Sequence, residues 1–199
     1  MSPQTVFIVD DDPTILCLTS RILESAGLAV ETFGTAEAFL DAYHPDRRGC
    51  LVLDVKMPGM GGLKLQERLA ELHTQIPIII LTGSADVPTA VTVMKGGAID
   101  LVEKPFEPED LLTKVVKALH INAVHWAGQE RRADLDDRKS HLSAREREVM
   151  DLVVDGRANK QIAAHLGISE KTVEVHRSRV MQKMRAGSVA ELVRMNVAA

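Results

Sequence analysis

Three consecutive carboxylates, Asp10, Asp11 and Asp12, follow the short apolar run TVFIV, and a fourth, Asp54, closes the run CLVLD. A hydroxyl, Thr82, follows IPIIIL, and Lys104 stands just after AIDLV. Carboxylates gathered in one place repel one another, so a cation has to offset them. A set of hard oxygen donors suits Mg²⁺ or Mn²⁺. Beside such an ion a carboxylate can attack a phosphoryl group as a nucleophile. The ion and a lysine ammonium then neutralise the phosphoryl oxygens, and a hydroxyl can hydrogen-bond one of them. Asp54 is the expected nucleophile because it ends the central apolar run. Each residue alone has a plainer reading: Asp10–Asp12 as the cap of a helix opening at Pro13, Lys104 as a surface charge. Four run ends of matching chemistry favour the joint reading.

The elements that would bring these residues together are legible along the first 120 positions. Apolar, β-branched runs at 5–9, 29–33, 50–54, 76–81 and 98–102 alternate with helical patterns at Pro13–Ala26, Ala36–Tyr43, Gly62–Leu72 and Val87–Lys95, and a fifth helix opens near Glu107–Pro108. Continuous apolar strands separated by helices predict a parallel sheet covered on both faces. Five such units in this length predict an α/β, flavodoxin-like fold with strand order 2-1-3-4-5, whose sites form beyond the carboxyl ends of the strands. The last helix should continue into the polar stretch 121–140 as a linker, leaving residues 141–199 as a second, all-α domain.

That second domain reads as four helices. Ser143-Ala-Arg-Glu146 is a capping box opening the first, which ends at Gly156. Asn159 is expected to cap a short second helix, Lys160–Leu166, stopped by Gly167. Ser169 caps a longer third, Glu170–Met184, and Ser188 a fourth, Val189–Met195. A short helix, a tight turn with Gly and a longer basic helix make a helix-turn-helix. Val173, Val180 and Met184 should face the core. Lys171, Thr172, Glu174, Val175, Ser178, Arg179 and Lys183 then face outward, where a helix can enter the major groove. Lys160, Lys171, Arg177 and Lys183 suit phosphates, and Glu174 suits a cytosine amino group. Taken singly, each is as readily a solvated charge.

Composition agrees with two small globular domains: 199 residues, 45% hydrophobic, 26% charged and only 3% aromatic, so aliphatic side chains must build the cores. No apolar run approaches the ~20 residues that span a bilayer. MSPQTVFIVD lacks the basic and apolar regions of a leader, so secretion and membrane insertion are not expected. Cys17 and Cys50 make no disulfide framework and have no metal-ligand spacing. The net charge of −4 divides into −7 over residues 1–120 and +3 over 121–199, a weak pointer to nucleic acid at the carboxyl end. Met150, Met181, Met184 and Met195 are expected in packing, and the scattered histidines are assigned no chemistry.

VDDDP, LVLDVKMPGMGG, LTG and EKPF resemble the motifs of bacterial two-component receiver domains. The segment from Ser143 to Met184 resembles the DNA-binding domain of the NarL/FixJ (LuxR-type) regulators, and TVEVHRSRVMQKM and SADVP point to the FixJ-type branch. The resemblance implies a response regulator of the cytoplasm whose Asp54 accepts a phosphoryl group from a sensor histidine kinase. Asp11, Asp54 and the Lys56 carbonyl would bind Mg²⁺, with Asp10 acting through water. Lys104 would pair with the phosphoryl group and Thr82 would move toward it. Phosphorylation would drive homodimerisation, promoter DNA binding and contact with RNA polymerase. The readout surface would be Val87–Lys95, Ile99–Val102 and Pro108–Leu119. One position departs from the family pattern: Leu101 stands where receivers usually carry a switching Tyr or Phe.

Two alternatives follow from the same residues. A DNA-binding regulator indifferent to phosphate is kept open by Leu101. An aspartyl phosphatase of the haloacid dehalogenase type would need a second Asp two residues after the nucleophile, where this chain has Lys56. No enzymatic turnover is therefore expected beyond self-phosphorylation and self-dephosphorylation.

Overall fold

Residues that neighbour each other along a strand face opposite sides of the sheet, and in β1 (Thr5–Val9), β3 (Gly49–Asp54) and β4 (Ile78–Thr82) both sides are apolar. Phe7, Val9, Leu51, Leu53 and Ile80 join one buried cluster, while Val6, Ile8, Val52, Ile79 and Leu81 join a second. Two-sided burial requires helices on both faces. Phe39, Leu65, Leu69 and Val93, from α2 (Ala36–Ala42), α3 (Gly62–Glu71) and α4 (Val87–Lys95), close the first face. Leu23 of α1 (Pro13–Ser25) and Leu111, Val115 and Ala118 of α5 (Pro108–Ser140) close the second. With β2 (Ala29–Phe33) and β5 (Asp100–Glu103) as edges, all strands are parallel, in the order β2-β1-β3-β4-β5. This is the flavodoxin-like order expected from the alternation of runs and helices.

The computed structural model describes residues 4–83 and 87–197. Ser84, Ala85 and Asp86, the first part of the SADVP stretch, lie outside the described residues. The chain divides into two compact units, Met1–Trp126 and Ala127–Ala199. Helix α5 runs without a break across that division to Ser140. Within the first unit, buried Asn122 fastens α5 to the lower edge of the sheet, its Oδ1 accepting from the Gly49 amide at 2.9 Å. Arg48 stacks over the ring of Trp126, 4.6 Å from its centroid.

The second unit holds α6 (Ala144–Val154), α7 (Asn159–Leu166), α8 (Glu170–Met184) and α9 (Val189–Val197) around a core of Val149, Val153, Ile162, Val173, Val180 and Leu192. Ser143 and Glu146 form the reciprocal capping box, and Ser169 caps α8 through the Thr172 amide at 3.1 Å. Asn159 does not cap α7. Ala158 holds that place, and the Gln161 side chain returns to its amide at 3.0 Å, which leaves the Asn159 side chain free for a neighbouring helix. Met150 and Met184 are buried, and Met181 and Met195 pack on the same core. Both cysteines are free: Cys50 is buried, its thiol pushed up to about 12 by desolvation, and Cys17 lies exposed.

Candidate functional site

Parallel pairing in register puts the carboxyl ends of β1, β3 and β4 side by side, with Val9 opposite Leu53 and Asp54 opposite Leu81. Asp10, Asp54 and Thr82 are all buried at this edge. Lys104 reaches in from beyond β5, its Nζ 2.6 Å from Asp10 Oδ2 and 2.7 Å from Asp54 Oδ1. Its amide donates to the Thr82 carbonyl at 2.7 Å, which fixes the lysine's strand against the hydroxyl's. Asp10, Asp54 and Lys104, three of the four strand-end residues singled out from the sequence, therefore meet through their side chains, and buried Thr82 joins Lys104 through its backbone. The plainer reading also holds in part: Asp12 caps α1 by accepting from the Thr14 amide at 2.7 Å, and that bond lowers its pKa. Asp11 lies exposed at the rim.

The electrostatics of the pocket are those of a carboxylate pair short of positive charge. Burial pushes the Asp54 carboxyl above its ordinary range, with the Lys104 hydrogen bond and charge pulling the other way. Burial also works against the Lys104 ammonium, but hydrogen bonds and charges from Asp10 and Asp54 outweigh it and hold Lys104 above the ordinary lysine value. The Asp54 Oδ2 accepts from the Lys56 amide at 2.7 Å, so the loop after β3 bends back over the carboxylate. Among the described residues no three His, Cys, Asp or Glu side chains gather as a metal cluster. Mg²⁺ does not need three, since it is held by one or two carboxylates and keeps several waters. Asp11, Asp54 and the Lys56 carbonyl, the ligands that the resemblance implies, would make a donor set of that kind.

In the second unit, α7, a turn through Gly167 at φ +66 and α8 make the helix-turn-helix. Lys171, Glu174, Val175, Ser178 and Arg179 are exposed on α8 at helical spacing, opposite buried Val173, Val180 and Met184, and Lys160 is exposed on α7. Thr172 is half-buried, its hydroxyl 2.8 Å from Ser169 Oγ. Two of the cations expected to suit phosphates make bonds within the unit, half-buried Arg177 and exposed Lys183. Arg177 donates to Asn159 Oδ1 at 2.9 Å, and Lys183 donates to Glu146 Oε2 at 2.6 Å and to the His141 carbonyl at 3.1 Å.

Residues 6–116 match the family described as "Response regulator receiver domain", and residues 140–196 match "Bacterial regulatory proteins, luxR family". The chain belongs to the response regulators. It is 45% identical over 190 residues to the "Transcriptional regulatory protein FixJ" of Azorhizobium caulinodans, covering 96% of this chain and 90% of that protein. It is likewise 45% identical over 191 residues to "Nodulation protein W" of Bradyrhizobium diazoefficiens, covering 96% of this chain and 84% of the relative. Among solved structures, the response regulator StyR superposes with a TM-score of 0.91 at 43% identity, covering the whole of both chains. A receiver followed by a LuxR-type DNA-binding domain makes this response regulator a phosphorylation-activated transcriptional regulator, with a histidine kinase and DNA as the partners those domains imply. No helix among the described residues is long and apolar enough to cross a membrane.

Some of what holds this response regulator's sites together was not singled out from the sequence. Glu146 was readable as a cap but not as the partner of Lys183, which lies 37 positions on and meets it only through the fold. Gln66 is buried, donating to the Val93 carbonyl at 2.8 Å. Its signal is a polar residue inside the apolar stripe Leu65–Leu69 of α3.

Proposed function

We propose that Asp54 is the phosphoacceptor of this response regulator, with Lys104 and Thr82 as the groups that bind the incoming phosphoryl oxygens. The observation that carries the reading is the single ammonium shared by two buried carboxylates, 2.6 Å from Asp10 and 2.7 Å from Asp54. A lysine so placed lies within reach of an oxygen transferred to Asp54. In the transfer, an Asp54 oxygen forms a bond to phosphorus while the P–N bond of a kinase phosphohistidine breaks, and the departing imidazole nitrogen takes a proton from water. Asp11, Asp54 and the Lys56 carbonyl would hold Mg²⁺ or Mn²⁺, with Asp10 acting through water, and the bound cation would neutralise oxygens that Lys104 alone cannot. Asp54 supplies the attacking atom, the Lys56 amide keeps its other oxygen oriented, and Lys104 moves from a carboxylate partner to a phosphoryl one. The same residues return the group to water slowly, which is the extent of catalysis in this reading.

The phosphoryl group carries roughly −2 charge and new acceptor oxygens, so it favours the conformation in which Thr82 and Lys104 meet it best. The responding surface is α4 with β5 and the first turns of α5, where Val87, Val91, Met94 and Val116 are exposed. Dimerisation through this surface would pair two copies of the second unit for two half-sites of a promoter, next to RNA polymerase in the cytoplasm. Lys171, Thr172, Glu174, Val175, Ser178 and Arg179 would read bases, and Lys160 with Lys171 and Arg177 would hold phosphates. Lys183, engaged by Glu146, serves the domain's own fold first.

Intact mass after incubation with acetyl phosphate, with and without Mg²⁺, tests the central step. One phosphoryl adduct that needs Mg²⁺ and is absent from Asp54→Asn is the expected result. An adduct that persists in Asp54→Asn assigns the acceptor elsewhere.

A further inference from the structure

Helix α3 touches the acceptor's backbone at its start and α4 one turn further on. At its start, the Gly62 amide donates to the Val55 carbonyl at 3.1 Å, and a Cβ on Gly62 would lie 2.0 Å from the Asp54 carbonyl oxygen. One turn later Gln66, only 3% exposed, donates its Nε2 to the Val93 carbonyl at 2.8 Å. A Cβ on Gly96 would stand 2.8 Å from the Gln66 Cδ and Oε1, so the amide is wedged against the end of α4. The Val93 carbonyl also accepts from the Ala98 amide at 3.1 Å, closing α4 around Gly97 at φ +95, and the next residue, Ile99, donates to the Ile78 carbonyl at 2.8 Å to enter the sheet. Gln66 thus grips the turn that joins α4 to β5.

On the same face of the sheet, β5 presents Leu101. Leu101 has no ring to rotate. It packs half-buried on the first core cluster, with its amide held by Asp100 Oδ1 at 3.0 Å and its carbonyl by Lys114 Nζ at 2.8 Å.

We propose that Gln66 is a positioning residue that conveys a change at Asp54 through α3 to the exposed apolar face of α4, Val87, Val91 and Met94. The inference rests on the reading of Asp54 as the phosphoacceptor. A close-packed helix passes a displacement on as a body instead of absorbing it. Because the Gln66 amide is buried, losing its partner leaves a desolvated donor, so α3 and the α4 turn move together or the bond is sacrificed. Coupling of this kind needs a demonstrated common response and not mere adjacency.

The test uses the full-length chain. Uptake of phosphate is read by intact mass after acetyl phosphate and Mg²⁺. The response of α4 is read as amide exchange across residues 90–98 before and after beryllofluoride, a tetrahedral phosphoryl mimic, is added with Mg²⁺. Gln66→Met keeps the volume and removes the donor, and Gly96→Ala disturbs the same contact from α4. Both should take up phosphate as the wild type does while the exchange change at α4 falls at least about threefold; Leu101→Ala should keep it. Full retention of the change in Gln66→Met and Gly96→Ala overturns the proposal, as does its loss in Leu101→Ala alone. A wild type that takes up no phosphate fails at mass uptake, and there the reading of Asp54 falls and takes this one with it.

Discussion

Removal of Lys104 would take from both pocket carboxylates the ammonium they share. Its ammonium bridges Asp10 and Asp54, two carboxylates that are almost fully desolvated. Removing one partner from a buried ion pair costs about 3–5 kcal/mol, because the charge left behind has neither water nor a counter-ion. Lys104→Met should therefore lower the stability of the first unit by about 3 kcal/mol at pH 7, read by urea unfolding through the single tryptophan, Trp126. Asp54 already has a raised pKa, so its buried charge burdens the fold above that value and is relieved as pH falls. The deficit in the variant should accordingly shrink toward pH 5, and millimolar Mg²⁺ should recover part of it at pH 7. In the wild type the raised Lys104 pKa means that the bridge is fully present below the ordinary lysine value of 10.5 and is lost as pH climbs through the folded one. A deficit independent of both pH and Mg²⁺ would mean that Lys104 acts by packing alone. Glu146 has the opposite signature. The Lys183 hydrogen bond first, then the Ser143 amide, hold it down to about 2 from 4.5, so its contribution is complete above 4.5 and is lost as pH falls toward 2. Glu146→Gln should cost the second unit about 1–3 kcal/mol at pH 7 and little at pH 2, by circular dichroism melts of both proteins.

At the scale of elements, α3 is placed by an absence. The amide of Gly62 meets the Val55 carbonyl, and the space a side chain would take is filled by the Asp54 carbonyl oxygen 2.0 Å away. Gly62→Ala should force the β3–α3 loop outward, at a cost of about 1–3 kcal/mol. The same shift moves the Lys56 carbonyl, so phosphate uptake from acetyl phosphate should slow in step with the stability loss; uptake at the wild-type rate in a destabilised variant would separate the loop from the chemistry. This dependence also marks how far sequence carries. Strand ends are legible because hydrophobic runs stop at the layer's edge, which is why the pattern alone groups Asp10, Asp54, Thr82 and Lys104. Ser143, Ser169 and Asp12 were legible as caps because a short oxygen-bearing side chain before a helical pattern has few other uses. Asn159 has the same chemistry one residue too late, inside the first turn of α7, and there its oxygen is taken by Arg177. Local pattern gives a cap to within a residue, whereas the partner 18 positions away depends on how two helices cross. Gln66 escaped for a related reason: its partner is the backbone of α4, which no residue type advertises.

The whole molecule joins an acidic half, −7 over residues 1–120, to a basic half, +3 over 121–199, and only the second has reason to meet a polyanion. Binding of a basic domain to duplex DNA releases counter-ions in proportion to the phosphates it neutralises, so the slope of log affinity against log salt counts contacts. Lys160, Lys171 and Arg179 are exposed on the helix-turn-helix, and Arg177 is half-buried behind them, whereas Lys183 is held by Glu146. Three or four phosphates per copy give a slope of about −3 for a single copy on a duplex of scrambled sequence. If phosphorylation pairs two copies, the slope for the beryllofluoride form should steepen to about −6, because the contacts double while their chemistry does not change. Asp54→Asn should stay near −3 with or without beryllofluoride. A shared slope in both states would leave the helix-turn-helix binding DNA one copy at a time whatever the state of Asp54, which is what a regulator indifferent to phosphate would do. A steeper slope confined to the modified wild type would instead tie the charge gained at one end of the chain to the number of phosphates met at the other.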